Sequence, residues 1–89
     1  MRLVPMKQGV ASALALCGKG ARGGLELRTF KKDRGVRIVA ADGAVRLSED
    51  GFVTESRELP SGSEAKRAVR AAVAREFPRS NKLYVQEVS

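Results

Sequence analysis

The sequence predicts an α+β domain in which an antiparallel meander sheet of three to four strands is combined with two helices and a C-terminal strand. Two segments place apolar residues at helical spacing, and between them lie short alternating runs separated by turn residues. The order helix, three or four strands, helix, strand is typical of a sheet layer stacked on a helix layer. At 89 residues the chain has the length of one small domain, so residues 1–89 are expected to fold together.

The first 24 residues predict a helix followed by a glycine-rich loop. Pro5 suits the first turn of the helix and Gly18 suits its end. The apolar residues that form its predicted stripe are Met6, Val10, Ala13, Leu14 and Cys17. Residues 18–24 have the G-x-G-x-x-G spacing, but a helix precedes them and a strand follows, which is the reverse of a dinucleotide-binding site. We predict a flexible linker here, with phosphate contacts from Lys19 and Arg22 as the alternative.

The N-terminal 25 residues contain no acidic residue, and their apolar run over 10–17 resembles a short secretory signal. Pro5 and Gly9 interrupt the region, and the run is shorter than the ~18 residues that span a bilayer. We therefore expect a cytoplasmic protein with no membrane partner. An organelle transit peptide, which is also basic and poor in acidic residues, is the alternative.

Residues 25–57 predict an antiparallel meander. Alternating runs are separated by a turn at 32–35 and by Asp42-Gly43, a strong two-residue hairpin signal. A further strand over 52–56 follows a turn at 49–51. The predicted pairs are Ala41 with Ala44, Val39 with Arg46 and Arg37 with Ser48 across the hairpin, and Phe30 with Arg37 and Arg28 with Val39 across the first turn.

Alternation along these strands sorts their side chains onto two faces. The apolar face, which predicts the core, carries Leu25, Leu27, Val36, Ile38, Ala40, Val45 and Leu47. The other face carries Arg28, Phe30, Arg37, Val39 and Arg46. Guanidinium groups suit phosphates or guanine edges and an aromatic ring suits base stacking, so this face is a candidate nucleic-acid surface. The alternatives are an ordinary solvated face, or a face that the N-terminal helix covers with Phe30 and Val39 in the core.

Residues 61–77 predict the second helix. Ser61 and Glu64 are spaced for a capping box at its start, and Pro78 ends it. Its apolar stripe consists of Ala65, Ala68, Val69, Ala72, Val73 and Phe77, with Glu76 as the one discordant residue beside it. Another side carries Lys66, Arg67 and Arg70, which we interpret either as a phosphate-contacting ridge or as a solvated helix face.

Residues 83–88 predict the last strand, after a polar connection at 79–82. Leu83 and Val85 are expected to face inward and Tyr84 outward. An edge position in the sheet is the alternative.

The order helix, three strands, helix is similar to that of double-stranded-RNA-binding domains, and the run at 63–68 is similar to the basic opening of their second helix. Residues 25–77 also resemble, in order, the arm-binding domains of tyrosine recombinases, whose sheet contacts DNA. That resemblance implicates Arg28, Phe30, Arg37 and Arg46. Both likenesses are topological, since this chain adds a strand and lacks the Gly-Pro-x-His loop of the first family.

The chain has 17 basic residues against 10 acidic ones, which gives a net charge of +7. Residues 1–37 carry net +7, residues 38–64 net −4 and residues 65–89 net +4. Basic ends around an acidic middle segment favour one basic surface on the protein, which would bind a polyanionic partner. Solubility alone is the alternative explanation of the charge.

The chain contains no His and a single Cys, which excludes His-dependent catalysis, an intramolecular disulfide and Cys-only metal sites. Cys17 is interpreted as a small apolar residue at a helix end. The acidic residues lack the spacing of a calcium-binding loop. We therefore predict no enzymatic activity, no cofactor and no metal.

The predicted function is a small module that binds DNA or RNA, mainly through electrostatic contacts to phosphates. The residues assigned to this interface are Arg28, Phe30, Arg37, Arg46, Lys66, Arg67 and Arg70. The competing function is a protein-interaction or assembly module. In that case an edge strand, or the apolar stripe of the first helix, meets another protein or a second copy of this chain.

Overall fold

A six-stranded antiparallel sheet and two helices make up the part of the chain that the computed structural model describes, residues 1–31 and 33–88. The elements follow in the order β1 Arg2–Pro5, α1 Met6–Ala15, β2 Gly23–Arg28, β3 Gly35–Ala41, β4 Ala44–Asp50, β5 Thr54–Pro60, α2 Ser63–Glu76 and β6 Lys82–Val88. Across the sheet the strands are ordered β1-β6-β2-β3-β4-β5. The predicted α+β class is confirmed, and the sheet is larger than the predicted meander.

The two ends of the chain account for the larger sheet. β1 pairs with β6, and β6 lies between β1 and β2, so that Leu3 pairs with Tyr84 and Leu27 pairs with Val85. A strand before the first helix was not predicted, because a run of four residues is too short to show alternation. Its pairing partner is at the other end of the chain, where no local signal points to it.

Both helices pack against the same face of the sheet. α1 contacts β1, β6 and β2, α2 contacts β3, β4 and β5, and the helices contact each other. The apolar residues predicted for the sheet core and for the α2 stripe are all buried. No described helix covers the other face, and the Phe30 side chain beside it is 67% exposed, so the N-terminal helix does not bury it. We call this uncovered side, which carries Arg28, Arg37 and Arg46, the open face.

The β3–β4 hairpin has the predicted register. Its pairs include Ala41 with Ala44, Val39 with Arg46 and Arg37 with Ser48. The turn residues Asp42 and Gly43 have φ angles of 55° and 76°. Two consecutive positive φ angles are what a type I′ turn requires, and Asp-Gly is among the sequences that tolerate them best. This turn is therefore determined locally.

The predicted β2–β3 register is wrong. The observed pairs are Glu26 with Arg37 and Arg28 with Gly35, where the prediction had Phe30 with Arg37 and Arg28 with Val39. The displacement is an even number of residues, and side chains alternate with a period of two along a strand. Arg28 and Arg37 therefore keep the face that was predicted for them.

The connection between β2 and β3 is longer than the predicted turn at 32–35. β2 ends at Arg28, and the Thr29 amide donates a hydrogen bond to the Arg34 carbonyl at 3.1 Å. Lys32, which the prediction assigned to this turn, lies outside the described residues, as does Ser89 at the end of the chain. Phe30 is consequently a loop residue at the end of the sheet and has no partner on β3.

The predicted capping box at Ser61 and Glu64 does not form. α2 begins at Ser63, its N-cap is Gly62 with a φ of 119°, and no side chain caps the helix. The Gly62 amide instead donates to the Cys17 carbonyl at 2.7 Å. The hydrogen bond between Gly62 and Cys17, two residues beyond the end of α1, therefore fixes where α2 begins. A glycine accommodates the positive φ angle at this position.

Glu76, the discordant residue of the α2 stripe, is 1% exposed. Its carboxylate accepts hydrogen bonds from the backbone amides of Phe52 at 2.8 Å and Val53 at 3.1 Å. Gly51 makes this approach possible, since a Cβ atom there would lie 2.5 Å from the Glu76 Oε1. The buried carboxylate therefore attaches the β4–β5 turn to the end of α2.

Glu76→Gln is expected to lower the free energy of unfolding by about 2 kcal/mol, because an amide group offers one acceptor oxygen to two backbone N–H donors. Urea denaturation followed by circular dichroism measures the change. Glu87→Gln, at an exposed position of β6, is the control and should change stability by less than about 0.5 kcal/mol. Equal effects of the two substitutions would contradict the role assigned to Glu76.

Candidate functional site

The three predicted sheet arginines lie together on the open face, and each is paired with a carboxylate. The ion pairs are Arg28 with Glu26 at 2.6 Å and with Asp50 at 3.4 Å, Arg37 with Glu26 at 2.8 Å, and Arg46 with Glu58 at 3.4 Å. The positive charge of this face is therefore offset by three acidic side chains on β2, β4 and β5. The sequence interpretation counted the arginines and did not place these acids beside them.

Glu26 is the centre of this network and is 8% exposed, although it lies on the face without helices. Arg28 and Arg37 both donate to it, one to each carboxylate oxygen. The hydrogen bond from Arg28, followed by the one from Arg37, holds the pKa of Glu26 below its usual value. The same contact with Glu26 raises the pKa of Arg28. The two guanidinium groups cover the carboxylate and are themselves held in place by it.

The other predicted basic residues are on the opposite side of the molecule or are already paired. Lys66, Arg67 and Arg70 project from α2, in the helix layer behind the sheet. Lys19 is exposed in the glycine-rich loop, and Arg22 pairs with Asp42 at 3.0 Å. The structure therefore does not bring the sheet arginines and the α2 ridge onto one surface.

Cys17 is fully buried at the end of the first helical region. Burial raises the pKa of its thiol, and the positive charges of Lys66 and Arg70 partly oppose the rise. A buried thiol with a raised pKa is a poor nucleophile. This agrees with the interpretation of Cys17 as a core residue.

A stacked aromatic pair, of exposed Phe30 and half-buried Tyr84, lies at one end of the open face. The ring centroids of Phe30 and Tyr84 are 6.0 Å apart and their planes differ by 27°, which is a stacked arrangement. A shallow groove beside the pair is lined by Thr29, Phe30, Lys31, Asp33, Arg79, Ser80, Asn81 and Lys82. We call the group formed by Phe30, Tyr84, Lys31, Arg79 and Lys82 the basic-aromatic end.

Two connections, 29–34 and 77–81, meet to form this end. The Thr29 hydroxyl donates to the Asp33 carboxylate at 2.7 Å, which lowers the pKa of Asp33 and joins the two sides of the first connection. The Asn81 carbonyl accepts a hydrogen bond from the Met6 amide at 2.8 Å, which ties the second connection to the start of α1. The groove is thus built from segments that are far apart in sequence.

The cations of the basic-aromatic end form no ion pair in the part of the chain that the structure describes, although the charge of Lys31 acts on the Asp33 carboxylate. Lys31, Arg79 and Lys82 are exposed, and no ion pair joins any of them to an acidic residue there. Asp33 is the one acidic residue among those that line the groove. The sequence interpretation did not assign these three cations to the site. The only sequence feature that pointed to them is that Lys31 follows Phe30, and that Arg79 and Lys82 lie within five residues of Tyr84.

The features proposed for assembly are largely used within the fold. The α1 residues Met6, Val10 and Leu14 pack against the core. β5 is an exposed edge strand, but it carries Arg57 and ends at Pro60. Charged residues and proline at an edge oppose pairing with another strand. No observation here favours the assembly function over the binding function.

Among the described residues, no group of three or more His, Cys, Asp or Glu side chains is placed to hold a metal ion, and no helix is long and apolar enough to span a membrane. No protein-family model matches the chain, and no curated protein or solved structure is significantly similar to it. Its function is therefore inferred from its own side chains.

Glu26→Gln is expected to make the free energy of unfolding depend less strongly on pH in acid. The folded-state pKa of Glu26 is lower than its ordinary value of 4.5, so the unfolded state binds more protons as the pH falls. The stabilisation is present above pH 4.5 and is lost as the pH drops through the lower folded-state pKa. Urea denaturation at pH values from about 7 to about 3 measures this slope.

Glu87→Gln, which removes an exposed carboxylate, is expected to retain the pH dependence of the parent protein. If Glu26→Gln shows a profile parallel to that of the parent protein, the network around Glu26 does not stabilise the fold through its charge.

Proposed function

We propose that this chain binds nucleic acid, DNA or RNA, through the basic-aromatic end. The observation that carries the proposal is the stacked Phe30–Tyr84 pair, in which Phe30 is 67% exposed, beside Lys31, Arg79 and Lys82, three exposed cations that form no ion pair among the described residues. An aromatic ring supplies a stacking platform for a base, and nearby cations position the phosphates. Neither contact requires a metal or a cofactor.

In this proposal the sheet arginines do not contact phosphates; they stabilise the neighbouring sheet surface. A phosphate bound at Arg28 or Arg37 would compete with Glu26, whose carboxylate is almost fully buried between them. We infer that this network keeps the sheet surface beside Phe30 rigid and close to neutral. A neutral surface next to a basic one directs an anionic chain to the cations that remain unpaired.

Lys66, Arg67 and Arg70 belong to the opposite layer of the molecule and do not share a short stretch of phosphate backbone with the basic-aromatic end. About three phosphate contacts are therefore expected. For three contacts the logarithm of the binding constant should fall against the logarithm of the salt concentration with a slope of about −2 to −3.

A variant with Lys31→Gln, Arg79→Gln and Lys82→Gln is expected to bind a fluorescent oligonucleotide at least about tenfold more weakly at low salt, with the salt slope reduced by about 2 to 3. Fluorescence anisotropy titrations at several ionic strengths measure both quantities. The loss arises because each substitution removes one phosphate-contacting charge.

The matched control carries Lys66→Gln, Arg67→Gln and Arg70→Gln, which removes the same number of charges from the helix layer. This control is expected to keep the parent affinity within about twofold. The proposal fails if the parent protein binds no oligonucleotide at low salt, or if the helix-layer variant loses affinity and the other variant does not.

A further inference from the structure

We infer that the ligand of the basic-aromatic end is single-stranded nucleic acid, with two nearby bases stacked on Phe30 and Phe52. This inference rests on the proposed function and specifies the ligand class at the same site. It adds a second aromatic platform, which the sequence interpretation did not assign to any role.

Phe52 is the second platform because it is exposed and firmly held at its backbone. Its side chain is 68% exposed, nearly the same as that of Phe30. The Phe52 amide donates to the buried Glu76 carboxylate, which fixes the turn from which the ring projects. The Arg34 guanidinium lies 5.6 Å from the ring centroid, so a cation accompanies this ring as well.

The sheet register places the two rings at the same end of the molecule. Arg28, Gly35 and Asp50 are paired in one row across β2, β3 and β4. Phe30 and Phe52 each lie two residues beyond this row, on loops that are two strand spacings apart. Adjacent strands are about 4.8 Å apart, so the backbones of the two loops are separated by about 10 Å.

Two exposed rings on neighbouring loops favour an unstacked strand. Successive bases in a duplex are stacked at about 3.4 Å, so an aromatic ring can cover the face of a base there only after the stack has been opened. In a single strand the bases are free to turn and present their faces to aromatic side chains. A duplex covers those faces with neighbouring base pairs.

The layer arrangement leaves binding at this end to the sheet and its loops. Both helices lie behind the sheet, so neither can enter a major groove from the open face. The described chain measures 32 × 23 × 20 Å along its principal axes. A surface of that size fits a short site of about four nucleotides.

The test compares four ligands of equal length by fluorescence anisotropy at low salt: a deoxythymidine strand, a uridine strand, a blunt DNA duplex, and a strand with intact phosphodiesters but abasic sugars. We expect one of the two base-bearing strands to bind at least about tenfold more tightly than both the duplex and the abasic strand. The stronger of the two identifies the preferred sugar.

Phe30→Leu and Phe52→Leu are each expected to weaken binding of the base-bearing strand by about fivefold or more, while leaving binding of the abasic strand unchanged within about twofold. Val39→Ala is the control, since Val39 is a partly exposed apolar residue of the open face that lies four residues along β3 from the Gly35 row. It should keep the parent affinity. Urea denaturation of each variant verifies that it is folded.

A second readout uses Phe30→Trp. The chain contains no Trp, so this variant reports from a single position. Its fluorescence should be quenched by the base-bearing strand and not by the abasic strand, because quenching requires a base in contact with the indole ring.

The outcomes separate the two levels of inference. Equal affinity for all four ligands, with no effect of Phe30→Leu, overturns base stacking and leaves electrostatic nucleic-acid binding in place. The absence of binding to every ligand at low salt overturns both. Tighter binding to the duplex than to either strand overturns the single-strand assignment alone.

Discussion

Both helices bury their apolar residues against one face of a six-stranded sheet, and this one-sided burial leaves the opposite face to polar side chains. Small side chains on α2, such as Ala65 and Ala72, let that helix approach the sheet closely. The alternating strands then direct Arg28, Arg37 and Arg46 to the opposite side. A continuous apolar layer on one side and a polar open face on the other follow from the same packing.

Three buried acidic residues connect the elements around that layer. Glu26 accepts from two arginines, Glu49 accepts from Arg75, and Glu76 accepts from two backbone amides. In the described part of the chain, no buried side-chain nitrogen or oxygen lacks a hydrogen-bond partner. Because a buried charge is costly without partners, each of these carboxylates fixes the position of the group that satisfies it.

Because these ion pairs neutralise some of the basic residues locally, the net charge of +7 does not describe where the protein can bind an anion. Arginines that occupy the sheet contribute to the count but are neutralised by carboxylates on the same surface. Part of the surplus is found where strands end and connections begin, at Lys31, Arg79 and Lys82, and another part lies separately on the outer side of α2. For a binding function, the unpaired charges of the loops matter more than the total.

The sequence by itself determined the features that depend on neighbouring residues. The spacing of apolar residues predicts α2 and its buried stripe, alternation predicts the sheet core, and Asp42-Gly43 predicts the hairpin. It also placed the three sheet arginines on one face, despite the wrong register between β2 and β3. Local backbone preferences and the periodicity of burial are properties of short segments, so short segments reveal them.

Only the tertiary structure decided which distant segments meet. The pairing of β1 with β6, the start of α2 against the Cys17 carbonyl, and the Asp50 carboxylate beside Arg28 all join residues that are far apart in sequence. The basic-aromatic end is of the same kind, because two separate connections supply its side chains. Such contacts depend on the free energy of the whole packed chain, in which no single segment carries the information.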